Sequence, residues 1–63
     1  MTYQPYAEHT TGWINVKLKG PLTGNHMVWL YGHDGGMFHI HNFQNCIKFE
    51  REQDAEWFLL RWS

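Results

Sequence analysis

A chain of 63 residues, 43% hydrophobic, 17% aromatic and 17% charged, is one small domain. It is too apolar for a disordered tail and too short to wall a large enzyme cleft on all sides. Its formal net charge of -1 gives no global field that would drive tight binding to nucleic acid or membrane. The single cysteine, Cys46, cannot form an internal disulfide, which favours a reducing compartment. The longest apolar run, residues 27–31, is far short of the roughly 20 residues that span a bilayer. Residues 1–9 have neither a basic start nor an apolar stretch and do not read as a signal peptide.

Residues 1–11 are polar with scattered aromatics and contain Pro5, and they read as an irregular N-terminal arm. Residues 12–63 read as a single α+β domain. In residues 13–19, Ile14, Val16 and Leu18 point one way and Trp13, Asn15, Lys17 and Lys19 the other, the alternation of a half-buried strand. Gly20-Pro21 ends it, because proline cannot donate to a ladder. Residues 22–33 are open to two readings. Pro21 can start a helix that Gly32 closes, with Leu22, His26, Trp29 and His33 on one stripe flanked by Leu30. Residues 27–31 can instead be one arm of a hairpin.

A second strand is expected over residues 36–42, with Phe38 and Ile40 inward and Met37, His39 and His41 outward. Asn42-Phe43-Gln44-Asn45 forms a turn. A third strand covers residues 46–50, with Ile47 and Phe49 inward and Cys46, Lys48 and Glu50 outward. Over residues 52–62, Ala55, Phe58, Leu59 and Trp62 fall at i, i+3, i+4 and i+7, an amphipathic helix. Its acidic start and Arg61 near its end match the helix dipole. The expected architecture is βαββα: a three-stranded antiparallel sheet with both helices on one face. The alternative is a four-stranded β-meander with one C-terminal helix. The expected core is Ile14, Val16, Leu18, Leu30, Phe38, Ile40, Ile47, Phe49, Ala55, Phe58, Leu59 and Trp62.

If that core faces the helices, the opposite sheet face shows Trp13, Lys17, Lys19, Met37, His39, His41 and Lys48. Aromatic and basic side chains on an open sheet can stack bases and hold phosphates, and they equally suit burial against a protein. Trp57 lies off the core stripe of the last helix with Arg61 one turn along, a pair that can stack by cation–π contact. The expected partner-binding set is therefore Trp13, Lys17, Lys19, His39, His41, Lys48, Trp57 and Arg61. His39 and His41 share one strand face and Cys46 faces the same side, which makes them weak candidates for a zinc site or a thiolate–imidazole pair. No Cys-x-x-Cys or His-Glu-x-x-His spacing supports a metal. No cofactor is expected, and the acidic residues of the last helix are explained by its dipole rather than by catalysis.

The C-terminal stretch resembles the ending of a group of short tailed-bacteriophage proteins. Their pattern is a strand ending in Phe, an acidic turn, Asp-Ala, a Phe three residues on and a closing Leu-Arg-Trp. Here these are Phe49, Asp54-Ala55, Phe58 and Leu60-Arg61-Trp62. The group also often has a Trp-Leu pair in an upstream helix and a Gly before the middle strand, which Trp29-Leu30 and Gly36 match. Where members tend to carry Asp, this chain has Arg51, which cannot accept a helix-capping bond. The resemblance covers about a quarter of the chain. It implies a small α+β domain and a phage accessory protein, and it implies no reaction. The expected function is binding without catalysis in the host cytoplasm, modulating or inhibiting a host protein. A homodimer is the other expected protein association. The alternative function is a single-stranded nucleic-acid-binding module using the open sheet face.

Overall fold

The computed structural model of the protein describes residues 1–41 and 45–62. Its elements in chain order are β1 (Thr2–Tyr3), a 3-10 turn (Ala7–Thr10), β2 (Ile14–Lys17), α1 (Gly24–Gly32), β3 (Met37–His41), β4 (Cys46–Phe49) and α2 (Glu52–Trp62). Among the described residues, the strands form one four-stranded sheet in the order β1-β3-β4-β2. β4 runs antiparallel to both β2 and β3, while β1 is parallel to β3, so the sheet is mixed. Ile14, Phe49 and Phe38 align across the sheet, and Val16, Ile47 and Ile40 form the next row. The alternation expected from the sequence is thus preserved in register, because a one-residue slip would turn every apolar side chain to the wrong face.

The expected three-stranded antiparallel sheet is corrected to four strands, the count of the alternative. The added strand is Thr2–Tyr3 within the arm expected to be irregular, and residues 24–32 are helical rather than a hairpin arm. The arm joins the sheet because the Thr2 amide bonds Gly36 O at 3.2 Å and the Gln4 amide bonds Phe38 O at 2.7 Å. The Met1 ammonium meets the C-terminal end of α1, donating to Leu30 O at 2.9 Å, to Tyr31 O at 3.4 Å and to His33 O. A positive charge on these carbonyls satisfies acceptors that the helix itself leaves open. Helix α1 starts three residues after Pro21. Thr23 is its cap: its hydroxyl accepts from the His26 amide at 3.5 Å, and its own amide donates to His26 Nδ1 at 3.0 Å. Histidine thus takes the reciprocal role usually filled by Glu or Gln.

Both described helices lie on the Ile14–Phe38 side of the sheet. The core is Val16, Leu30, Phe38, Ile47, Phe49, Ala55 and Phe58, each at most 5% exposed. Ile14, Leu18, Ile40 and Trp62 are only partly buried against it, and Leu59, expected inside, is 48% exposed. The reason is lateral. β2 is an edge strand of the sheet, and among the described residues no further strand lies beyond it to meet the side of α2 that carries Leu59. The turn expected at residues 42–45 lies, apart from Asn45, outside the described residues.

Candidate functional site

The sheet order places β1 and β2, consecutive in the chain, at opposite edges. Three strand spacings of about 4.8 Å separate them, so residues 4–13 must cross the sheet. They cross the face opposite the helices, the one expected to be open. Thr10 of the 3-10 turn is fully buried there. Its hydroxyl donates to Ala7 O at 2.6 Å and receives the Lys48 ammonium at 3.4 Å. His39 is 6% exposed, with Nδ1 2.6 Å from Gln4 O and its ring stacked on Tyr3. Gly12, with φ of 83°, makes the turn that returns the chain to β2; a side chain would strain this left-handed conformation.

The eight residues of the expected partner-binding set, six of them expected in one patch on the open sheet face, therefore occupy three places. His39 and Lys48 are engaged beneath the arm, with His41 half-buried on the same face. Lys17 and Lys19 are exposed on and just after the edge strand β2, and Trp13 is half-buried at its start. Trp57 and Arg61 belong to the helix layer, where their expected pairing is corrected. Trp57 packs edge-on against His33, with centroids 4.8 Å apart, and the Arg61 guanidinium lies 4.7 Å from the Trp62 ring centroid.

That helix layer is an aromatic stack. His26 and Trp29 of α1 and His33 at its C-terminal cap meet Trp57, Phe58 and Trp62 of α2. Trp29 stacks on His33 at 4.4 Å and 15°, and meets Phe58 and Trp62 edge-on at 5.5 and 5.6 Å. His26 sits 4.7 Å from Trp62. Such ring pairs contribute about 0.5–1.5 kcal/mol each beyond the area they bury. The stripe on α1 was legible at helical spacing; its function is packing between helices.

The stack ends in a groove where α2 meets β2. The groove has a volume of about 280 Å³ and is lined by Val16, Leu18, Pro21, His26, Phe58, Leu59 and Trp62, together with Lys17, Lys19 and Gly20 along β2 and just after it. Most of its lining is apolar, and one wall is the edge strand β2. Leu18, Pro21 and His26 bring the β2–α1 connection over the end of α2. The sequence marked Lys17 and Lys19 but not the groove, because Leu59 read as core.

His41 and Cys46 are cross-strand register partners, and the His39 and His41 rings are 6.0 Å apart. Among the described residues, no group of three or more His, Cys, Asp or Glu is placed to hold a metal ion. No described helix is long and apolar enough to cross a membrane. No family model matches the chain, and neither a curated protein nor a solved structure matches it.

Proposed function

We propose that the protein acts by binding another protein, without catalysing a reaction, and that it does so at the groove between β2 and α2. One observation carries this reading. Leu59, 48% exposed, lines an apolar groove beside the exposed Lys17 and Lys19, and Leu60, 78% exposed, follows it on the outer side of α2. Apolar surface bordered by polar residues is the usual mark of a protein contact. Covering it gains about 25 cal/mol per Å² of apolar area removed from water. The resemblance of residues 49–62 to short tailed-phage proteins supports a setting in the cytoplasm of an infected bacterium. The partner is then a host protein, and the consequence of binding is modulation of it.

Single-stranded nucleic-acid binding has weaker support. It calls for a bare sheet face with free stacking and basic side chains, and His39 and Lys48 are engaged by the arm that crosses that face. Affinity capture from bacterial lysate, with and without nuclease, tests the two readings. The expected result is a discrete protein that stays bound after nuclease treatment. Retention that disappears with nuclease would move the function to nucleic acid, and retention of nothing would contradict both.

A further inference from the structure

The main chain beside the groove has its own binding capacity. The Leu18 amide bonds Asn45 O at 2.7 Å, continuing the β2–β4 register in which Val16 faces Ile47 and Ile14 faces Phe49. In an antiparallel ladder bonded and non-bonded pairs alternate. Ile14, Val16 and Leu18 therefore point their main-chain groups at β4, and Asn15 and Lys17 point theirs away from the sheet. Among the described residues, no strand lies beyond β2 to take them. An edge of this kind is a template for one more strand.

We propose that this edge and groove form one site that takes an extended peptide segment as a fifth strand, with acidic and large apolar residues alternating along it. The inference rests on the protein-binding reading above and specifies its partner. The alternation follows from the pleat. A side chain opposite Val16 points to the helix side, where Leu18, Phe58, Leu59 and Trp62 line the groove. The side chains before and after it point to the opposite face with that of Lys17, which is exposed, and Lys19 is exposed just beyond the end of the strand. Opposite charges across a strand pair are favourable and like charges are not. The edge carries two lysines and no acid, so an acidic strand fits it. Pairing with a second copy of itself would gather four lysines along one seam, and edge lysines commonly prevent that association.

The test is titration of the ¹⁵N-labelled full chain with a synthetic peptide, acetyl-Thr-Glu-Phe-Glu-Val-Thr-amide, followed by amide chemical shifts. Saturable shifts are expected at Asn15, Lys17 and Leu59. Asn15→Pro removes an outward amide that the β2–β4 ladder does not use, and proline is tolerated at such edge positions. It should leave the melting temperature nearly unchanged and weaken the peptide about tenfold, the loss of one hydrogen bond. The double variant Lys17→Glu with Lys19→Glu should lose the acidic peptide and gain one in which both glutamates are replaced by lysine. The proposal is overturned by no shift at about 1 mM peptide, by shifts confined to other surfaces, or by the same edge amides shifting with protein concentration alone. Equal capture of one bacterial protein by the wild type and by Asn15→Pro would also overturn it, while leaving the protein-binding reading in place. That reading fails on a separate result, the absence of any nuclease-resistant partner of the wild type.

Discussion

Asp54 is 1% exposed, and its Oδ2 accepts the Gly36 amide at 2.8 Å across 18 residues of sequence. A buried carboxylate on α2 thereby anchors the turn that launches β3. The turn needs glycine for a steric reason: a Cβ on Gly35 would stand 2.5 Å from Asp54 Oδ1. Asp54→Ala leaves the Gly36 amide without its acceptor and should cost about 1–3 kcal/mol. Gly35→Ala pushes on the same carboxylate and should cost about as much. Urea unfolding of both single variants and the double variant checks the coupling. The double variant should be clearly less damaged than the sum, since the clash disappears with the carboxylate; simple additivity would contradict the anchor. The aspartate of the Asp-Ala pair was readable in the sequence only as a first-turn acid suited to the helix dipole. Its bond to Gly36 was hidden because nothing local reveals a partner so far away in the chain.

At the scale of elements, the cap of α1 gives a direct check. Thr23→Ala removes the hydroxyl that accepts from His26 and should lower stability by about 1 kcal/mol, with a matching fall in melting temperature followed by circular dichroism. An unchanged melting temperature would show that the His26 bond to the Thr23 amide suffices alone. Elements with strong periodicity were legible: α2 spans Glu52–Trp62 as its apolar spacing predicts, and β2, β3 and β4 carry the expected faces. β1 was not. A two-residue strand has no periodicity, and Tyr3 pairs with Phe38 35 positions away. Alternation also says which side a residue faces but not what else crosses that side. Hence His39 read as a surface residue, while residues 4–13 cover it. Leu59 failed for the converse reason: helical spacing marks a stripe, and only the position of α2 over the last strand decides how much of that stripe is covered.

For the whole molecule, stability concentrates where α1, α2 and the sheet meet. Phe58, 1% exposed, contacts Phe49, Trp29, His26 and Trp62 by ring packing. Phe58→Ala should cost about 3–5 kcal/mol. A domain of this length holds about 3–9 kcal/mol in total, so the variant should be largely unfolded or melt far below the wild type in calorimetry. An unchanged melting temperature would remove Phe58 from the centre of the fold. The binding proposal places the partner at the β2–α2 border, where Leu59 is half exposed. Site-specific photocrosslinking in nuclease-treated bacterial lysate tests this most directly, with benzoylphenylalanine replacing Leu59 in one protein and the 74% exposed Val28 in another. The account predicts a discrete protein adduct from position 59 and none from position 28; an adduct from position 28 alone would contradict it.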